Sequence, residues 1–206
     1  MEMKMASAEK VDMWFDPICP FAWITSRWLL EAAAVRDLEV TWNIMSLAQL
    51  NKDREMDEAH KAAFTRSWDA VRLVAAVKEN HGNDAVLALY NAMGTRIHLK
   101  KEKVSDDLLV AALAEAGLPA DLLAVAKDES WNEPMIASHD RAISLVGNDV
   151  GTPVVAIGDA AFFGPVISPA PKGEQAGRLW DGLALCLEVP GFYELKRARK
   201  GGPDFS

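Results

Sequence analysis

Residues 11–28 read VDMWFDPICPFAWITSRW, and the change of period inside this stretch decides the fold. Val11, Met13 and Phe15 alternate with Asp12, Trp14 and Asp16, the two-residue period of a short strand. After Pro17 the period becomes three to four: Phe21, Ile24, Trp28, Ala32 and Val35 form one apolar face of a helix. Pro20 suits the first helical position, where its missing N–H costs nothing and its fixed φ is already helical, so Cys19 becomes the N-cap. A second strand follows at Val40, Trp42 and Ile44. Strand, helix, strand is a right-handed βαβ unit with parallel strands.

Downstream, no strand pattern interrupts residues 57–146. Phe64, Trp68, Val71 and Ala75 mark one helix ended by Gly82, and Val86, Leu89, Tyr90 and Met93 mark another. Ser105 followed by two aspartates caps a third, which Gly117-Leu118-Pro119 stops. Ser130-Trp131-Asn132-Glu133 reads as a capping box, with Pro134 able to move the start. Strands return after Gly151-Thr152-Pro153: Val154 to Ile157 and Ala160 to Phe163 flank Gly158-Asp159, a hairpin link. Gly173 then opens a last helix carrying Ala176, Leu179, Leu183, Cys186 and Leu187 on one face, and the tail after Lys200 is expected to be loose. The expected class is α/β, a βαβ unit and a ββα unit separated by helices: one discontinuous domain, 1–56 and 147–206, with a helical insertion at 57–146.

The 206 residues carry 22 basic and 30 acidic side chains, a formal charge of −8, which disfavours a nucleic-acid partner. Lys100, Lys101 and Lys103, and the run Lys196, Arg197, Arg199, Lys200, are the basic clusters and read as solvated surface. No stretch is apolar and long enough for a membrane span and MEMKMASAEK holds no apolar signal core, so a cytoplasmic location without membrane partners is expected. Two cysteines do not make a disulfide framework. His60, His81, His98 and His139 have no metal-ligand spacing, and neither a Walker loop nor GxGxxG is present; no metal, nucleotide or tightly bound cofactor is expected. Among the seven tryptophans core packing is the default, and Trp23 is the one placed to line a site.

Cys19 is the residue that carries chemistry. Unpaired N–H groups and the positive end of a helix dipole favour thiolate over thiol, so its pKa is expected to fall. The plain alternative is a small buried residue that merely starts a helix. Cys186, on the apolar face of the last helix, reads as an inert core thiol. A cis Thr152-Pro153 bond has no support from the sequence itself, because only about 5% of X-Pro bonds are cis.

Trp14-Phe15-Asp16-Pro17-Ile18-Cys19-Pro20, Trp23 to Trp28, Gly151-Thr152-Pro153, Ala161 to Val166 and Glu194-Leu195-Lys196-Arg197 together resemble the DsbA-like thioredoxin superfamily, and within it the actinobacterial mycothiol-dependent nitroreductases. The resemblance spans about residues 11 to 199. It implies a thioredoxin-like fold with a helical insertion, Cys19 as nucleophile, Pro153 as a cis-proline, and a low-molecular-weight thiol, mycothiol or glutathione, as reductant. It further implies that Pro20, Phe21, Ala22, Trp23, Asn51, His98, Thr152 and Pro153 line the substrate or thiol site.

One departure stands out: the family pattern has tryptophan and a second cysteine where this chain has Phe21 and Ala22. Ala22 cannot resolve a mixed disulfide, and Phe21 keeps an aromatic wall without an indole N–H. The expected function is therefore a monothiol oxidoreductase acting on a disulfide, nitro or other electrophilic substrate. The rivals are a kappa-type thiol transferase or hydroxychromene carboxylate isomerase-like enzyme, and a non-catalytic thioredoxin-like binding module. A homodimer through the helices is left open.

Overall fold

The computed structural model describes residues 8–55 and 57–206. The first seven residues, which entered the signal-segment argument, the boundary residue Met56 and the side chain of His60 lie outside the described set.

Among the described residues four strands form one sheet: β1 (Glu9–Phe15), β2 (Leu38–Ile44), β3 (Val154–Ile157) and β4 (Ala160–Phe163), in the order β2-β1-β3-β4. β1 and β2 run parallel with Val11 opposite Val40, as the intervening helix α1 (Pro20–Ala33) requires. β3 runs antiparallel to both β1 and β4, and Gly158 turns the β3–β4 hairpin with φ 61°. β1 is central and covered on both faces: Val11, Met13 and Phe15 are fully buried, and Trp14 on the other face nearly so.

The short helix α2 (Leu47–Leu50) follows β2, and helices alone fill the chain from Glu58 to Val146. α3 (Glu58–Gly94) is two helices in one run, broken at Gly82, whose φ of 82° and ψ of −173° are non-helical. A π-turn at Thr95–Leu99 ends it. α4 (Asp106–Glu115) is capped by the Ser105 hydroxyl at 3.2 Å from the Leu108 amide, and the single turn α5 (Leu123–Ala126) follows. The capping box at Ser130 does not form. Asp128 instead caps a 3₁₀ turn (Glu129–Trp131), and α6 (Asn132–Val146) grows directly from that turn with Pro134 in its first turn, where no N–H is missed.

α7 (Gly173–Leu187) packs across α1. The Trp28 indole, wholly buried, donates to the Ala176 carbonyl at 3.0 Å. Arg36 bridges Glu174 and Asp181, each at 2.8 Å, on the exposed rim of this contact. Two expectations fail at its edges. Val35 is 38% exposed because α1 has already ended at Ala33, so Val35 no longer follows the apolar face. Cys186 is half-buried rather than core, since the fully buried positions of α7 are Ala176, Gly177 and Trp180 and its later turns are only partly covered.

The tail is not loose either. Phe192 meets Phe162 edge-on at 5.6 Å, and Phe205 packs against the core beside His98, 5.8 Å between ring centroids. The Asp204 amide donates to the Ser168 hydroxyl at 2.7 Å between these anchors. These partly buried aromatic contacts, one before Lys200 and one at Phe205, with the Asp204–Ser168 bond between them, tie the tail to the fold. Among the described residues no helix is long and apolar enough to cross a membrane.

Trp28→Phe tests the α1–α7 contact. It removes the bond to Ala176 and leaves a void, and should lower unfolding free energy by about 2 kcal/mol in urea titration. An unchanged midpoint would show that α7 is not held there.

Candidate active site

The turn that carries Cys19 is built around Asp16. Its Oδ1 accepts from the Ile18 amide at 3.0 Å and its Oδ2 from the Leu47 amide at 2.7 Å, so one carboxylate ties the β1–α1 turn to the start of α2. Asp16 is wholly buried, and burial pushes its pKa up from 3.8 to about 6 against the pull of the two amides. An Asp-Pro pair at a strand end is a turn signal, but nothing in the sequence shows that its carboxylate reaches a second segment.

Cys19 is the N-cap of α1, with extended backbone (φ −79°, ψ 114°) and its amide bonded to the Asp16 carbonyl at 2.9 Å. Sγ accepts from the Ala22 amide at 3.5 Å and donates to the Thr152 carbonyl at 3.3 Å, a contact across 133 residues. The expectation of a lowered pKa fails in this arrangement. Burial pushes the Cys19 thiol up. Thr152's side chain and the Ala22 and Phe21 amides pull it down, Asp16's charge opposes them, and the sum stays above the ordinary thiol value. Only 7% of Cys19 is exposed, so the cost of a charge away from water exceeds what the capping amides return. The Thr152 hydroxyl is buried and, apart from its pull on the nearby sulfur, has no hydrogen-bond partner among the described residues.

The other anticipated residues divide. Pro20 and Phe21 are partly exposed at the first turn of α1, with Arg199 of the tail over the Phe21 ring at 5.0 Å. Ala22 is fully buried and contributes its amide rather than a surface. Trp23 is 4% exposed and serves as an inner support: it stacks 5.8 Å from His98, meets Tyr90 edge-on at 5.4 Å and lies under Arg27 at 4.0 Å. It also lies so close to Gly94 that a Cβ there would overlap the indole. His98 comes from the helical insertion to the Pro17 carbonyl, 2.9 Å from Nε2, and burial lowers its pKa to about 4, so it is a neutral donor there. Asn51 caps α2 and spends its side-chain amide on the Leu47 carbonyl at 2.8 Å, which places it beside the Asp16 knot. The Thr152–Pro153 peptide is cis, as are Gly164–Pro165 and Ser168–Pro169. Sequence reasoning missed Asp16, Arg199, Phe205 and Tyr90; the last is wholly buried, stacked on Phe15 at 3.7 Å, with an unpartnered hydroxyl. Among the described residues no group of three or more His, Cys, Asp or Glu could hold a metal ion.

A free cysteine capping the helix of a βαβ unit, faced by a Thr-Pro loop from the antiparallel half of the same sheet, defines the DsbA-like class of thioredoxin-fold thiol oxidoreductases. Within that class the chain belongs to the Rv2466c-like family, described as mycothiol-dependent nitroreductase, whose model matches residues 18–197. It is similar to the uncharacterized protein Rv2286c of Mycobacterium tuberculosis, 28% identical over 192 residues, 92% of this chain and 82% of that protein. The fold is shared with a probable DsbA oxidoreductase of Streptomyces coelicolor (TM-score 0.57, 19% identity, 95% and 97% of the two chains). It is shared also with the cytosolic disulfide reductase DsbM of Pseudomonas aeruginosa (0.57, 16%, 85% and 99%). A 2-hydroxychromene-2-carboxylate isomerase gives 0.61 at 15% identity over 85% and 93%. The protein is thus an enzyme of the thiol oxidoreductase class with a thiol co-substrate.

Two pH experiments follow. The rate of Cys19 alkylation should keep climbing past the ordinary thiol pKa, and Thr152→Val should move the curve further up; a plateau already reached at pH 7 would contradict the burial argument. Asp16 has a raised folded pKa, so the folded state holds its proton more tightly than the unfolded one and stability falls as pH rises from 3.8 to about 6. At about 1.4 kcal/mol per pH unit this amounts to roughly 3 kcal/mol at most. The stability difference between the native protein and Asp16→Asn should shrink accordingly over that window in paired melts; a constant difference would refute it.

Proposed function

We propose that the protein is a cytoplasmic monothiol oxidoreductase in which Cys19 forms a mixed disulfide or adduct with its substrate and a low-molecular-weight thiol releases it. The observation that carries the reading is the pairing of Cys19 with Ala22: the amide of residue 22 still bonds to sulfur while its side chain, fully buried, offers no resolving thiol. The Cys19 thiolate attacks one sulfur of a disulfide, a protein S–S bond forms and the other sulfur leaves as thiolate. A small thiol then attacks the outer sulfur of the mixed disulfide and restores the Cys19 thiolate; a second small thiol displaces the remaining substrate sulfur, so two small thiols become one disulfide and the substrate disulfide is reduced to two thiols. For a nitro substrate the two small thiols supply two electrons and two protons, so the nitro group becomes a nitroso group, water leaves and one thiol disulfide forms.

Mycothiol is the favoured thiol because the family is described by it, with glutathione the alternative. A raised thiol pKa lowers the thiolate fraction at neutral pH but makes each thiolate a stronger nucleophile, so the reading does not require a strongly acidic cysteine. In this scheme the halves 1–56 and 147–206 carry the nucleophile and the Thr152-Pro153 loop, and the insertion 57–146 contributes His98 as part of the wall.

The test is intact-mass analysis after incubation with mycothiol disulfide and, separately, glutathione disulfide. One adduct per chain on Cys19, lost in Cys19→Ala together with at least about 100-fold of thiol-dependent turnover, is expected. Full turnover by Cys19→Ala would remove the reading. Thioether formation by Cys19→Ser would replace it with a thiol transferase.

A further inference from the structure

Both basic clusters that the sequence presents as ordinary surface are tethered by residues packed beside the Cys19 turn. The chain from Leu195 to Pro203 carries Lys196, Arg197, Arg199 and Lys200 and no acid, all four cations exposed, and it is strung between the Phe192–Phe162 and Phe205–His98 contacts. Arg199 lies over Phe21, two residues from the nucleophile. Lys100, Lys101 and Lys103 leave the π-turn immediately after His98, the ring that Phe205 meets and that is bonded to Pro17. None of these seven cations forms an ion pair with a described residue, and consecutive Cα atoms are only 3.80 Å apart, so their charges stay near these anchors. Of the acids close by, Asp16 is buried beneath the turn, Glu102 is held by Arg96 at 3.2 Å and Asp204 accepts from the Ser206 amide at 3.0 Å; exposed Glu194, two residues before Lys196, offsets one of the four tail cations.

We propose that the two clusters form a positive collar around the approach to Cys19, which selects small disulfides and electrophiles carrying carboxylate or similar negative charge near the reacting bond. On a protein of net charge −8 the far field repels such molecules, so a local patch is what admits them. The narrow exposure of Cys19 limits the partner to a small molecule rather than a folded protein. The inference rests on Cys19 as the reacting thiol and adds the substrate's charge to it.

The test uses Cys186→Ala protein, so that one thiol remains, and three disulfide probes: the dianion 5,5′-dithiobis(2-nitrobenzoate), neutral 2,2′-dithiodipyridine and cationic cystamine. In each case the Cys19 thiolate forms a protein mixed disulfide and expels one probe thiolate, so no further oxidant is involved. Raising salt from about 10 mM to 300 mM shortens the Debye length from about 30 Å to below 8 Å. The rate with the dianion should fall roughly tenfold, that with the neutral probe should stay level and that with cystamine should rise. Lys100→Gln/Lys103→Gln/Lys196→Gln/Lys200→Gln should remove most of this salt dependence for the dianion while the neutral rate holds, which also reports an intact fold; Arg199, over Phe21, and Lys101, with its φ of 59°, are left in place. Reaction with the dianion that is insensitive to salt, or unchanged in the quadruple variant, overturns the collar and leaves Cys19 as nucleophile. Failure of Cys19 to react with any probe overturns both.

Discussion

The Asp16 carboxylate, taken wholly out of water, holds two backbone amides that belong to different segments, Ile18 in the β1–α1 turn and Leu47 at the start of α2. Leaving either amide unpaired in that interior would cost on the order of 1–3 kcal/mol, so the carboxylate fixes where the turn sits relative to the second strand's end. The orientation of Cys19 follows. With its amide bonded to the Asp16 carbonyl, the cysteine can only enter α1 as the N-cap, and its sulfur faces the Ala22 amide on one side and Thr152 on the other.

The same burial that makes this turn rigid sets the chemistry of its sulfur. Backbone amides at a helix start favour a thiolate, but a site 7% exposed has little water to share the charge, and here desolvation wins. In a dithiol relative a second cysteine would stand where Ala22 is; a methyl group offers no S–H. The Thr152 hydroxyl is the side-chain group left to compensate, and it comes from the loop that leads into β3, the strand paired with β1, rather than from the motif itself.

Around the motif the wall is assembled from distant parts of the chain by aromatic contact. Phe205, His98, Trp23, Tyr90 and Phe15 succeed one another with centroid separations of 5.8, 5.8, 5.4 and 3.7 Å, linking the tail, the insertion, α1 and the sheet. Such contacts are each worth about 0.5–1.5 kcal/mol beyond their buried area, enough together to hold the tail against the site. Gly94 allows the Trp23 ring its place, since any Cβ would occupy it.

The strands, their parallel and antiparallel pairing, the long helical stretch with its break at Gly82, and the capping position of Cys19 were all legible in the sequence, because each depends on period, proline and glycine over a few residues. The Ser130 cap lost to a competing local cap at Asp128. The loose tail, the core placement of Cys186 and the acidic thiol were inferred from local preferences, whereas a remote aromatic contact, the limited cover of the last turns of α7 and desolvation decided them. Local order along the chain determined which residue could be a nucleophile. Only the packing of segments more than eighty residues apart decided what surrounds it, because burial and electrostatic field are properties of everything near an atom in space and not of its neighbours in sequence.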